Sequence, residues 1–293
     1  MTAKPQFELF LNHRQFGTLI FLTQDLSVML PFCPMLGLFL LGAQAQKSDP
    51  PQAAPGYRLV FSDDFRKIDL SLDGHGAHTW YEGLWHYTKH APLRNIRPGA
   101  HGLRLVWERG QPQPDTTIST ISADGKQQHA WRYGYFEARM KWKPEAGAWP
   151  AFWLLASLNQ YPTEMGELDI FEGNGQYPLS FFATLHDWQR DPDHPEKLTD
   201  VRNNAPNNRF DLPPGTDFTR FHTYGVLWEP ERITWFFDGR SLHSEPCYPV
   251  FNRQDLSLVL GMQMGSDWQV GNTKGVKAQR MTLGVDWVRV WQK

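Results

Sequence analysis

The sequence predicts an all-β sandwich, and three observations carry that prediction. Short runs rich in Val, Ile, Leu, Phe and Trp recur along most of the chain, separated by Gly, Pro, Asn and Asp. Apolar residues at helical spacing are almost absent from those runs. One run alternates strictly: Phe136, Ala138, Met140 and Trp142 are interleaved with Glu137, Arg139 and Lys141, which predicts a strand with one buried and one wet face. At 293 residues and 41% hydrophobic, the chain is long enough to close one large core of this kind.

The elements follow in order. Leu26 to Leu41 is mostly apolar, is broken by Pro31 and Pro34, and is followed by Ala43-Gln44-Ala45, a small-residue cleavage pattern. Residues 1–45 therefore read as a secretory signal, too short in its apolar part for a comfortable membrane span. Residues 46–56, rich in Pro and polar groups, read as an extended linker, and residues 57–293 as the single folded domain. Strands are predicted at Leu59–Phe61, Leu103–Trp107, Thr117–Ser122, Tyr133–Trp142, Ala151–Ala156 and Glu167–Glu172. The second half adds Ser180–Trp188, His222–Trp228, Ile233–Phe237, Leu256–Met264 and Thr282–Trp291, with a tight hairpin at Asp238-Gly239. The irregular segments 72–100 and 189–220 are long enough to wall a groove. Cys33 falls in the signal, which leaves Cys247 as a small buried hydrophobe with no disulfide.

The net charge of −2 and the lack of any Lys or Arg run argue against a nucleic-acid or anionic-membrane partner. Thirteen Trp against nine Tyr supply apolar indole platforms with a polar handle, suited to the C–H faces of sugar rings.

Gly166-Glu167-Leu168-Asp169-Ile170-Phe171-Glu172 is where chemistry concentrates. In a strand, Glu167 and Asp169 share one face and Leu168 and Ile170 the other. Glu172 has the wrong parity. A bulge between Asp169 and Glu172 would return it to the carboxylate side. Two Glu side chains leaning together on a curved sheet approach the carboxyl separation of about 5–5.5 Å that retaining glycosidases use. Asp169 would lie between them, able to share a proton with Glu167, and the crowded charge would raise the proton affinity of Glu172.

These residues, with Tyr133–Lys141, Trp149–Leu155, His222–Trp228 and Val285–Trp291, resemble family 16 glycoside hydrolases in order and spacing over roughly residues 57–292. The resemblance implies a concanavalin-like β-jelly-roll of two curved antiparallel sheets that hydrolyses internal β-linkages with retention. It implies Glu167 as nucleophile, Glu172 as acid/base and Asp169 as the residue that tunes the nucleophile. The two residues between Asp169 and Glu172 resemble the bulged branch, which includes laminarinase-like and agarase-like members, and this implies a glucanase acting on β-1,3 or mixed β-1,3-1,4 bonds, or a related polysaccharide endohydrolase.

Substrate contacts are expected from Trp149, Trp153, His186, Trp188 and Trp268. At least one of Trp149 and Trp153 should line the groove, and His186 should bond the sugar or the acid/base. His186, Asp187, Asp191, Asp193 and His194 match no compact metal motif. No cofactor is expected for catalysis, whereas Asp286 lies where the resemblance implies a structural Ca²⁺ ligand, with backbone carbonyls near Asp64 and Gly102 as partners. The expected partner is a polysaccharide, met by a secreted or periplasmic monomer. Two rival readings are a transglycosylase using the same intermediate, and a non-catalytic carbohydrate-binding sandwich. The second would be expected to have lost one of the two Glu residues, and both are present.

Overall fold

A computed structural model describes residues 51–84, 90–194, 197–202, 208–265 and 276–293. The signal at 1–45, Cys33 and Trp268 lie outside the described residues. Strands are numbered in chain order. One sheet runs β17 (Arg240–Pro246), β16 (Arg232–Phe237), β15 (His222–Trp228), β8 (Gly134–Trp142), β19 (Arg280–Gln292), β5 (Gly102–Glu108) and β4 (Ile96–Gly99), with β1 (Arg58–Asp63) also on β19. The other runs β13 (Leu198–Asp200), β12 (Leu185–Arg190), β10 (Glu164–Gly173), β9 (Ala148–Leu155), β18 (Leu256–Met264), β6 (Thr116–Ser119), β3 (Trp80–Glu82) and β2 (Leu70–Ser71). In this second sheet β11 (Ser180–Ala183) pairs with β10 and β14 (Asn208–Asp211), and β7 (Ala130–Trp131) pairs with β18. Pairing is antiparallel except in the two-residue β2–β3 ladder.

The main core lies between the sheets. Phe136, Ala138, Met140 and Trp142 of β8 are buried there, as the alternation predicts, together with Phe152 and Leu154 of β9 and Leu258 and Leu260 of β18. Each large apolar side chain so placed contributes about 1.5–3 kcal/mol. The outer face of β8 is only partly wet. Arg139 and Lys141 reach outward over the Phe221 ring, 4.7 and 4.6 Å from its centroid. Glu137, by contrast, is buried, because Tyr135 Oη donates to it over 2.9 Å beneath a second apolar cluster. That cluster joins Tyr135, Phe236 and Trp291 to Ala54 and Tyr57. Residues 51–56, part of the expected extended linker, therefore form turns, with Ala54 N–H donating to the Pro51 carbonyl and Tyr57 N–H to that of Ala54.

Other expectations hold or shift by local causes. The β16–β17 hairpin turns at Asp238 (φ 46°) and Gly239 (φ 73°), the two left-handed positions a type I′ turn requires. The strand expected over Ser180–Trp188 divides at Thr184, whose carbonyl accepts the Asp169 N–H over 2.9 Å where β10 departs from regular pairing. Cys247 is half-buried, with Sγ 3.2 Å from Asn252 Oδ1 and its thiol pushed up to about 11 by burial.

Candidate active site

The site grows out of an irregularity in β10. Against β9, Asp169 pairs with Trp153 and Phe171 with Phe152, so Ile170 is the extra residue of a bulge. Leu168, Ile170 and Phe171 all turn into the core, at 0%, 1% and 0% exposure. Glu167, Asp169 and Glu172 consequently emerge together on the opposite face, where they line one groove. The bulge that parity required is thus present.

β9 supplies the facing wall by ordinary alternation. Phe152 and Leu154 enter the core, while Trp149, Ala151, Trp153 and Leu155 line the groove. Both candidate tryptophans are therefore groove residues. Trp149 does more than offer a ring face: its Nε1–H donates to Glu172 Oε1 over 2.9 Å. Trp188 of β12 does the same for the other Glu, donating to Glu167 Oε2 over 2.7 Å. Each carboxyl thus has one oxygen held by an indole and a second one to use. The groove encloses about 420 Å³ and is completed by Leu84, Leu158, Met165, Leu198 and Gln263.

His186 sits beneath Trp188, the two rings stacked at 5.4 Å and 18°. It is not itself part of the groove lining, and its partner there is Asp169 and not Glu172. Its Nε2 is 3.2 Å from Asp169 Oδ2, and its Nδ1 is 2.6 Å from Asp200 Oδ2. Ligand atoms of Glu167, Asp169 and His186 lie within 4.8 Å of one another, a spacing that would suit a metal. Here, however, both imidazole nitrogens face carboxylates, so an imidazole protonated on both would take the place of a cation. Burial opposes that protonation, but the Asp169 bond, the charges of Asp169 and Glu167, and the Asp200 bond push His186 up to about 10.

The two Glu carboxyls separate in proton affinity. Burial, then the Asp169 charge, raise Glu167 to about 7, with the His186 charge and the Trp188 bond working against them. Burial and the charges of both Asp169 and Glu167 raise Glu172 well above the usual carboxylate range. Each Glu keeps a solvent-facing edge in the groove. Glu167 loses its proton first, and Glu172 keeps one to give.

Asp200, Gln263 and Leu198 were missed by sequence reasoning. Gln263 stands opposite Trp149 in the β9–β18 ladder, a placement visible only once the pairing is known. Asp187 faces away from the groove side of His186 and bonds Gln189, while Asp191 accepts the N–H groups of Asp193 and His194 over 2.9 and 3.2 Å. Asp286, in the outer face of β19, pairs through Oδ2 with Arg139. Gly102 lies against it: a Cβ there would fall 2.1 Å from the Val285 carbonyl oxygen. The oxygens fit calcium in kind, but the ion would have to share the carboxylate with a guanidinium.

Two carboxyls of unequal proton affinity, each steadied by an indole in a sugar-sized, aromatic groove on a β-sandwich, define a glycoside hydrolase. Residues 101–289 match the family described as Glycosyl hydrolases family 16, and the chain belongs to it. It is 27% identical to the Beta-glucanase of Rhodothermus marinus over 86% of this chain and 91% of that protein. It is 25% identical to Glucan endo-1,3-beta-glucosidase A1 of Niallia circulans over 84% of this chain, which spans only 39% of that protein. Among solved structures, the kappa-carrageenase of Pseudoalteromonas carrageenovora shares the fold, with a TM-score of 0.63, 21% identity, and coverage of 83% and 98% of the two chains.

Proposed function

We propose that the protein is an exported, retaining endo-β-glycanase that cleaves internal β-1,3 or mixed β-1,3-1,4 bonds of a neutral glucan. The observation that carries this is the groove itself: three carboxylates and three tryptophans line it, and no Lys or Arg does so among the described residues. An anionic polysaccharide would bring its charge against Glu167 and Asp169 with no Lys or Arg in the groove lining to meet it. A neutral chain stacks on Trp149, Trp153 or Trp188 at no such cost.

Glu167 attacks the anomeric carbon through Oε1, since Trp188 holds Oε2. The C–O bond to the leaving sugar breaks as Glu172 delivers its proton from Oε2, Oε1 being held by Trp149. A glycosyl ester on Glu167 results. Glu172, now ionised, takes a proton from water, which displaces Glu167 from the opposite face and restores the β-configuration.

The test is a panel of laminarin, mixed-linkage β-glucan, a neutral galactan and a sulfated galactan, with reducing ends counted and the first-formed anomer read by proton NMR. Reducing ends should rise on the glucans, with the β-anomer first. Cleavage confined to the sulfated galactan would overturn the substrate class, and an initial α-anomer the mechanism. Accumulation of longer oligosaccharides would instead favour transglycosylation. We also propose a structural calcium at Asp286, supported by its hard oxygen donors and the close Gly102 backbone.

A further inference from the structure

Asp200 is a carboxylate the double displacement does not use. Its side chain is 3% exposed. Oδ1 accepts two backbone N–H groups, from Asp187 over 3.1 Å and Arg202 over 3.0 Å, and Oδ2 is left facing His186 Nδ1 at 2.6 Å. On the far side of the imidazole stands Asp169, and flat against it lies Trp188, the residue that holds Glu167.

We propose that Asp200 is a positioning residue that holds His186 as a doubly protonated imidazolium, and that this fixed charge is what allows Glu167 to ionise among its neighbouring carboxylates. The proposal rests on the nucleophile role given to Glu167 above.

With Oδ1 held by two main-chain donors, the Asp200 carboxylate cannot turn, and Oδ2 presents only lone pairs to Nδ1. Asp169 does the same to Nε2. An imidazole between two acceptors satisfies both only by donating from both nitrogens. The charged groups facing it are Glu167, Asp169 and Glu172 from β10 and Asp200 from β13. Asp187, next in the chain, turns instead towards Gln189, within charge range of Arg253. One cation therefore serves four carboxylates. Its charge lowers the proton affinity of both Glu167 and Glu172.

Asp200→Asn tests this with little change of shape. If the Asn oxygen keeps the two backbone N–H groups, its amide presents a donor to Nδ1, and His186 must become neutral, protonated only at Nε2. The acid limb of kcat/KM should then move up, by about one pH unit at most, because the His186 charge that Glu167 loses acts on it more strongly than the Asp200 charge removed with it. Activity at pH 5.5 should consequently fall up to about fivefold more than at pH 8, with KM little changed. Asp200→Glu, which restores the carboxylate, should return much of the shift. Histidine ¹⁵N NMR of the wild type should show both His186 nitrogens protonated from pH 6 to 8, and the Asn variant only one. That wild-type spectrum needs no variant to fold and no substrate. A neutral His186 in the wild type, or superimposable pH profiles with a uniform loss of kcat, would overturn the proposal. A wild type that cleaves no β-glycan while keeping its imidazolium would overturn the glycanase reading instead.

Discussion

Trp235, in the sheet away from the groove, reaches through the core and donates its indole N–H to the main-chain carbonyl of Asp169 over 2.9 Å. The bulge in β10 is thus anchored from behind by the opposite sheet. Trp235→Phe keeps one aromatic ring but removes the N–H and the second ring, leaving a buried carbonyl unpaired at a cost of about 1–3 kcal/mol, to which the small cavity left behind adds. We expect Tm to fall by about 2–4 °C per kcal/mol lost, and kcat to drop with KM steady. Unchanged Tm and kcat would mean that the bulge holds its shape without this bond.

The two Glu residues should separate by rescue chemistry. Glu167→Ala should bind glucan yet form no glycosyl ester, and azide should restore turnover of an activated β-glycoside as the α-azide, attacking from the vacated face. Glu172→Ala should lose roughly 10²–10⁴-fold on substrates whose leaving group needs a proton. Azide should then yield the β-product, because Glu167 still performs the first displacement. Exchanged product stereochemistry would reverse the two assignments.

Trp149→Phe removes a donor whose bond lowers the proton affinity of Glu172. The sign follows: without it Glu172 holds its proton to higher pH, so the alkaline limb of kcat/KM moves up while the acid limb, set by Glu167, stays. A loss of about tenfold in kcat should accompany the shift, as one oriented hydrogen bond is removed. An alkaline limb moving down would show that the indole favours the protonated acid.

Calcium at Asp286 is checked by melting. Under that proposal Tm is higher in calcium than in chelator, since a ligand held only by the folded state stabilises it, and Asp286→Ala abolishes the difference. Equal melting in both buffers would leave Asp286 to its ion pair with Arg139 alone.

What sequence made legible was whatever followed from alternation. Leu256–Met264 appears as β18 with the bounds expected, and the parity mismatch of Glu172 located a bulge before any coordinates. Short edge elements did not show. β13 and β14 have three and four residues, lie in a polar segment and are defined by pairing across irregular stretches, β13 with β12 and β14 with β11. Asp200 is invisible for that reason: nothing near it in the chain marks it, and its partner His186 lies fourteen positions away. Glu137 misled because alternation reports which face a residue takes, not whether something further covers that face.

The extra residue of β10 makes alignment and packing separable. Deleting Ile170 would leave Glu167, Asp169 and the following Glu at every second position of an uninterrupted strand, so all three carboxyls would still face the groove. What would be lost is an apolar side chain from the core, at about 2–5 kcal/mol, and the register that sets β11 apart from β12. Two strand lengths, one kinked and one straight, can thus present the same three carboxyls, and the difference between them falls on the distance between Glu167 and the last Glu.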